Sequence, residues 1–192
     1  MSLNYNYKLD SEIDEHIKII SQFKNDEFIK NFSKIFHKII TTLKKGNKLM
    51  LIGNGGSAAD AKHFATELTV KFEKVRKPLP CLPLTADTTA ITAIGNDFDF
   101  KYIYSRQIEA LYNKNDIVIA YSTSGNSLNI LEALKFCKKK KIFSITMLGN
   151  KGGKCKNYGN LELIINSKKV SRVQEMHYFI NHYICFQLDK FF

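Results

Sequence analysis

Apolar residues recur every three or four positions over roughly the first 45 residues, in two successive groups. This spacing places the side chains of each group on one face of an α-helix. Gly46 and Asn47 then end the pattern, as these residues commonly do just past a helix. Two amphipathic helices cannot bury their apolar faces alone, so we expect residues 1–46 to form a helical arm that packs on the domain or on another subunit and is used in oligomerisation. The two groups are Ile13, Ile17, Ile20 and Phe23, and then Phe28, Phe32, Phe36 and Ile40.

Short, continuously apolar runs replace this spacing from Lys48 onward. Such runs are typical of strands buried on both faces of a parallel sheet. Segments with helical spacing alternate with them, and the links between the two are short. The alternation predicts an α/β fold, a three-layer sandwich with a five-stranded parallel sheet, in a single domain over residues 1–192. The predicted strands are 49–52, 81–84, 117–121, 142–148 and 161–165, and the predicted helices are 58–72, 88–94, 102–111, 128–139 and 170–189.

Composition favours a soluble globular protein. Of the 192 residues, 44% are hydrophobic and 24% are charged, and no apolar run is long enough to span a bilayer. The first residues lack the basic and then apolar pattern of a secretion signal. The four cysteines are scattered, which argues against a disulfide framework or a zinc knuckle. We therefore expect a cytoplasmic protein without a membrane partner.

A net charge of +11 would attract an anionic substrate or a nucleic acid. The lysines are spread along the chain, and the one dense run, Lys138 to Lys141, falls at a predicted helix end, where cations complement the helix dipole. Aromatic and basic residues do not interleave as they do on surfaces that stack bases. We therefore expect a lysine-rich solvated surface and no nucleic-acid partner.

Two polar loops each follow a predicted strand and open a predicted helix. In an open parallel sheet, ligands bind beyond the carboxyl ends of the strands, at the switch in strand order. Glycines allow close approach of the backbone to a ligand, and free amides at a helix start favour an anion. Turn glycines and serine caps are the alternative interpretation, but the density of hydroxyls favours a small phosphate ester. The first loop contains Asn54, Gly55, Gly56 and Ser57, and the second contains Ser122, Thr123, Ser124 and Ser127.

His63 and Glu67 are four residues apart on the helix that follows the first loop, so both project from one face. Gln174 and His182 are eight apart on the last predicted helix. Together these side chains could hold a divalent metal, with zinc the leading candidate. A His–Glu pair at this spacing is more often a surface contact, and His177 competes with His182 for the role, so the spacing alone leaves both questions open.

Five segments of the chain, taken in order, resemble the phosphoheptose isomerases, also called sedoheptulose 7-phosphate isomerases. The similarity covers nearly all of the chain and is weakest before Lys44. The motifs are jointly specific to this family. The segments are 53–68, 93–97, 105–107, 122–127 and 172–177, with His182 downstream.

The resemblance implies a sugar-isomerase (SIS) domain with flavodoxin-like strand order, and a homotetramer with active sites between subunits. It also implies conversion of D-sedoheptulose 7-phosphate to D-glycero-D-manno-heptose 7-phosphate, the first committed step towards bacterial heptose for lipopolysaccharide or capsule. One zinc ion per subunit is implied, held by His63, Glu67, Gln174 and His182. Glu67 resembles the catalytic base and His182 its partner acid. The implied substrate contacts are Asn54, Gly55, Gly56, Ser57, Glu67, Asn96, Asp97, Ser122, Thr123, Ser124, Ser127 and Gln174.

Two positions depart from the family pattern. Lys71 stands where several relatives carry an arginine, which exchanges a bidentate contact for a point charge. Ser171 stands where some relatives have an aspartate.

Two non-catalytic alternatives keep the fold, namely a DnaA initiator-associating factor and a sugar-phosphate sensor. Neither needs a proton-transfer pair, so the presence of both Glu67 and His182 favours an enzyme.

Overall fold

The structure, a computed structural model, describes residues 8–192 and shows an α/β fold. The part of the predicted arm formed by residues 1–7 lies outside the described residues. Each predicted strand and helix has a counterpart within a few residues of its predicted ends. The strands are β1 (Leu49–Ile52), β2 (Cys81–Pro83), β3 (Ile117–Ser122), β4 (Phe143–Leu148) and β5 (Leu161–Ile164). The helices are α1 (Leu9–Ile20), α2 (Asp26–Lys44), α3 (Gly56–Thr69), α4 (Thr88–Asp97), α5 (Ile103–Leu111), α6 (Leu128–Lys140) and α7 (Val170–Leu188).

All five strands are parallel and lie in the order β2-β1-β3-β4-β5, which confirms the predicted sheet and its flavodoxin-like order. Leu49 on β1 pairs with Cys81 on one side and Ile117 on the other. The chain therefore builds the sheet outward from β1 in one direction, returns, and continues from β1 in the other. The strand order reverses between β1 and β3, where ligand sites form in such sheets.

Alternate residues of each strand face opposite sides of the sheet, and each side is covered by helices. Leu51 packs in a core cluster that includes Phe64 of α3 and Ile180 of α7. Ile52 packs in a second cluster that includes Ile108 of α5 and Leu134 of α6. All six of these side chains are completely buried or nearly so. The three-layer arrangement predicted from the sequence is confirmed.

The two N-terminal helices differ in how they contact this domain. Ile35 and Ile39 of α2 are buried in the same core cluster as α3 and α7, so α2 covers one face of the sheet. In α1, Ile19 is the buried residue, while Ile13 and Ile17 remain 46% and 55% exposed. The apolar face of α1 therefore stays largely open to solvent in a single chain.

Three short 3₁₀ segments were not predicted, at Ser21–Lys24, Phe100–Tyr102 and Asn150–Cys155. The last of these follows β4 and lies against the loop after β3, where Cys155 donates its N–H to the carbonyl of Gly125 at 2.8 Å. Over residues 8–192, no helix is both long enough and apolar enough to cross a membrane.

Candidate active site

The loops after β1 and β3 lie side by side, because those strands are neighbours in the sheet. Asn54 in the first loop and Asn129 on α6 donate to each other's side-chain carbonyl, with both N–O distances at 2.8 Å. This reciprocal amide pair ties the two loops together at the switch point. Both loops therefore meet beyond the carboxyl ends of β1 and β3.

Glycine is required at two positions of the first loop. A Cβ at Gly53 would lie 2.6 Å from the carbonyl oxygen of Ser57, which is backbone and cannot move aside. Gly55 has φ +52°, in the region where side chains are strained. The hydroxyl of buried Tyr104 donates to the carbonyl of Gly53. These constraints fix the turn that exposes Gly55 and Gly56 and then begins α3.

Hydroxyls organise the second loop. The Oγ of Ser122 accepts the N–H of Gly125 at 3.1 Å and lies 3.3 Å from the Oγ of Ser127. The Oγ of Ser124 accepts the N–H of Asn126 at 3.1 Å. A hydroxyl that accepts from the backbone still has its own hydrogen to donate. The hydroxyl oxygens of Ser122 and Ser124 thus hold the loop by accepting backbone N–H groups, while the hydroxyl hydrogen of Ser124 can turn towards a ligand.

His63, Glu67 and His182 converge in space. One ligand atom from each lies within 4.8 Å of the others. The Nε2 atoms of His63 and His182 are 2.9 Å apart, and the Nε2 of His63 is 3.2 Å from the Glu67 carboxylate. The side chains of His63 and Glu67 keep 34% and 20% of their surface exposed, so a ligand can reach the cluster. The hydroxyl of Tyr178 also lies 2.9 Å from the Nε2 of His63.

This donor set fits a divalent metal of the zinc type. Two imidazole nitrogens and one carboxylate oxygen, with one side open, match the protein ligands of catalytic zinc sites. Burial, and next the charge of His63, lower the pKa of His182. A lowered pKa favours the neutral imidazole, which is the form that binds a metal.

Gln174, the fourth predicted ligand, is on α7 and packs against the start of α3. A Cβ on Gly56 would come 2.2 Å from the Nε2 of Gln174, so the amide packs directly against this glycine. This contact connects Gln174 to the first loop, and no hydrogen bond within residues 8–192 joins it to the other three ligands. Since Gln174 meets the start of α3 and His182 meets its middle, α3 and α7 run side by side in the same direction.

Burial distinguishes His177 from His182, the two histidines of α7 that were candidates for the metal ligand. His177 is completely buried, with its ring 5.7 Å from that of Tyr121 in the core, whereas His182 faces the cluster. Burial lowers the pKa of His177 to about 4, and the nearby carbonyl of Leu148 offsets this only in part. His177 therefore faces the core as a neutral imidazole.

Asp60, one turn before His63 on α3, is a buried carboxyl group that the sequence did not single out. Its Oδ2 atom makes no hydrogen bond within residues 8–192. Burial raises the pKa of Asp60 to about 6. The surroundings of this carboxyl group are thus poor at stabilising its negative charge.

The remaining predicted contacts are Asn96 and Asp97. Asn96 and Asp97 are exposed at the carboxyl end of α4 and are hydrogen-bonded to each other at 2.8 Å. None of their hydrogen bonds within the described chain connects them to the loops or to the histidine cluster. The divergent positions Lys71 and Ser171 are both exposed.

Two residues that support the site were not predicted from the sequence. Asn129 and Tyr104 contact Asn54 and Gly53, yet both sit inside helices as ordinary helical residues. The signal for Tyr104 was its position beside the motif 105–107, and for Asn129 its position two residues after Ser127. Only the fold brings these side chains to the loops.

Comparison with known proteins agrees with this geometry. The SIS domain family matches residues 13–149. The phosphoheptose isomerase of Campylobacter concisus is 45% identical over 183 residues, covering 95% of each chain. The solved phosphoheptose isomerase of Francisella tularensis superposes with a TM-score of 0.89 at 33% identity, covering 95% of this chain and 97% of the other. That of Neisseria gonorrhoeae has a TM-score of 0.85 at 32% identity, with the same coverage.

An α/β sheet with a polar switch point, and a match over most of its length, place the chain in the SIS domain family. Within that family it belongs to the phosphoheptose isomerases, and it is an enzyme of the isomerase class. The two non-catalytic alternatives are not favoured.

Proposed function

We propose that the protein converts D-sedoheptulose 7-phosphate to D-glycero-D-manno-heptose 7-phosphate, for bacterial heptose in lipopolysaccharide or capsule. The observation that carries the proposal is the convergence of Glu67 and His182, from two distant parts of the sequence, on one accessible point. Relatives named phosphoheptose isomerase at 45% and 42% identity over nearly the full chain support the substrate class.

The proposed chemistry moves a proton between adjacent carbons through an enediol. The carboxylate of Glu67 takes the proton from the carbon beside the ketone and returns it to the former carbonyl carbon. His182 acts as the partner acid and exchanges a proton with the sugar oxygens. Its 2.9 Å approach to His63 supports this role, because it fixes where the imidazole nitrogen points.

We propose one zinc ion per subunit, held by His63, Glu67 and His182 and completed by Gln174. When bound, zinc would polarise the sugar carbonyl and stabilise negative charge on its oxygen. The donor chemistry of the first three residues supports this role. Gln174 lies on the same helix as His182 and packs against Gly56 at the start of α3.

We propose that the polar loops hold the phosphate and the sugar hydroxyls. Binding energy gained there would orient the reacting carbons at Glu67 and so contribute to the rate. The shared geometry of the two loops, locked by the pair of Asn54 and Asn129, supports this division of labour. The proposed contacts are those expected from the sequence: Asn54, Gly55, Gly56, Ser57, Glu67, Asn96, Asp97, Ser122, Thr123, Ser124, Ser127 and Gln174.

We further propose a cytoplasmic homotetramer in which the helical arm takes part in assembly. Exposed aromatic side chains on the outer face of α7 and just after it support this, since Phe179, Tyr183 and Phe191 are 43%, 42% and 49% exposed. Aromatic surfaces of this kind are typical of protein interfaces. The exposed position of Asn96 and Asp97 fits contacts made to a neighbouring subunit's substrate.

The decisive experiment incubates purified protein with sedoheptulose 7-phosphate and identifies the product by NMR. We expect the heptose 7-phosphate, formed in a metal-dependent reaction. Folded protein that leaves the ketose unchanged would contradict the proposed function. Full activity after careful removal of metal, verified by elemental analysis, would contradict the zinc role alone.

A further inference from the structure

A buried ion pair lies just beyond the site, between the segment that follows α3 and the end of α7. The Nε of Arg76 is 2.8 Å from Oδ1 of Asp189, and the two side chains are only 2% and 3% exposed. Two charges removed from water need additional hydrogen bonds to compensate for lost hydration. The partners of each charge therefore show what the pair holds in place.

Asp189 binds the backbone of the segment that follows α3. Its Oδ2 accepts the backbone N–H groups of Glu73 and Lys74, each at 3.0 Å. Burial alone would raise the pKa of Asp189, but these donors together with Arg76 hold it below its ordinary value. The carboxylate is therefore charged in the folded protein and anchors the loop to the carboxyl end of α7.

Arg76 caps α3. Its two terminal nitrogens donate to the carbonyls of Glu67 and Leu68, at 2.8 and 2.9 Å. The last carbonyls of a helix have no partner within the helix, so a guanidinium there satisfies them. One of the capped residues, Glu67, carries the carboxylate of the histidine cluster. The pair thus contacts α3 at Glu67 and α7 about two turns after His182.

We propose that Arg76 and Asp189 are positioning residues that fix the register of α3 against α7, so that Glu67 and His63 on one helix meet His182 on the other. Apolar contacts between these helices are non-directional and resist sliding weakly. Sliding by one residue would shift His182 by about 1.5 Å along the helix axis, beyond the roughly 0.5 Å tolerance of a metal site. The charge pair is directional and opposes that slide. This inference rests on the proposed metal role of the cluster.

The test compares Asp189→Asn with a matched control, Asp116→Asn. Asp116 is also a buried carboxylate, accepting two backbone N–H groups and the ammonium of Lys48, but it lies just before β3, and none of its hydrogen bonds within residues 8–192 reaches α3 or α7. Zinc affinity is measured on the full-length protein by competition with a chromophoric chelator. We expect zinc binding to weaken about 10- to 100-fold in Asp189→Asn, the range seen when groups that orient metal ligands are lost. In Asp116→Asn it should stay within about twofold, since both carboxylates lose similar interactions but only one lies at the site.

Steady-state kinetics give a second readout. In Asp189→Asn, kcat should fall while the Michaelis constant stays near wild type, because the phosphate loops are not touched. If Asp189→Asn does not fold, Arg76→Lys replaces it: the amine keeps the charge but cannot span both helix carbonyls, and zinc binding should weaken about tenfold.

Wild-type zinc affinity in either folded site variant would overturn the inference, and so would equal losses in Asp189→Asn and Asp116→Asn. Wild-type protein that binds no zinc would overturn it together with the metal role. The sugar assay would then still decide separately whether the chain is an isomerase.

Discussion

Two clusters of polar side chains differ in how far solvent reaches them. Just before β3, Asp116 is 2% exposed and accepts hydrogen bonds from the backbone of Lys48 and Asn113 and from the Lys48 ammonium. Between α3 and α7, His63 and Glu67 are partly exposed, and three ligand atoms face a common point. The first cluster satisfies its polar groups internally, and the second keeps them accessible to a substrate.

This contrast separates residues that stabilise the fold from residues that act on a ligand. A buried polar group that loses its partner is costly, whereas an accessible one can bind water instead. Substitutions in the two clusters should therefore divide cleanly between losses of folding free energy and losses of activity. Four experiments test that division, in order of expected effect.

Glu67→Gln should have the largest effect. A glutamine keeps the shape but cannot accept a proton from carbon, so kcat should fall about 10³-fold, within the range for loss of a general base. The free energy of unfolding should change by less than about 1 kcal/mol, because the side chain is not part of the core. Turnover at the wild-type rate would contradict the assignment of Glu67 as base.

Asp116→Asn should produce the converse result. Removing one partner of a buried pair leaves the Lys48 ammonium uncompensated, and we expect a loss of about 3 kcal/mol in urea unfolding at pH 7 and fixed protein concentration. The pKa of Asp116 lies below its ordinary value, because hydrogen bonds outweigh its burial. Its contribution is therefore present above pH about 4 and lost as the pH falls further. A large fall in kcat at saturating substrate would contradict the proposed separation of the two clusters.

His177→Phe tests whether the histidines of α7 are divided between core and site. The pKa of His177 is about 4 in the fold and about 6.5 in the unfolded chain, so the unfolded chain binds more protons between these values. Wild-type stability should therefore lose about 2 kcal/mol from this group between pH 7 and pH 5, a loss that His177→Phe lacks. The difference between the two proteins, measured in metal-free samples, isolates the effect. Equal pH dependence of stability in wild type and His177→Phe would contradict the assignment of His177 as a neutral core histidine.

Ser124→Ala should have the smallest effect. Loss of one hydroxyl donor to a charged phosphate should raise the Michaelis constant about tenfold and leave kcat nearly unchanged. The neighbouring Asn126, whose side-chain amide donates to the carbonyl of Ser124 and accepts the N–H of Lys154, provides a control for the shape of the loop through Asn126→Ala. An unchanged Michaelis constant in Ser124→Ala would contradict the phosphate role of the loop.

The sequence predicted the layers, the five parallel strands and the two loops, because each depends on local apolar spacing and on residues adjacent in the chain. It could not decide between His177 and His182, since helical spacing does not say which face of α7 meets the core. It also missed Arg76 and Asp189, whose partnership spans more than half of the chain. A charged residue reads as a surface residue until the fold shows what encloses it.

Gly56 adds a consequence for how this sequence can change over time. A side chain there would overlap the movable end of Gln174 and would push the amide aside, without meeting the rigid backbone. Natural selection would then keep this glycine for the sake of the amide's position, while folding alone would tolerate an alanine. A relative that no longer catalyses the reaction would not need this glycine. We therefore expect glycine at residue 56 to accompany retained catalysis among relatives.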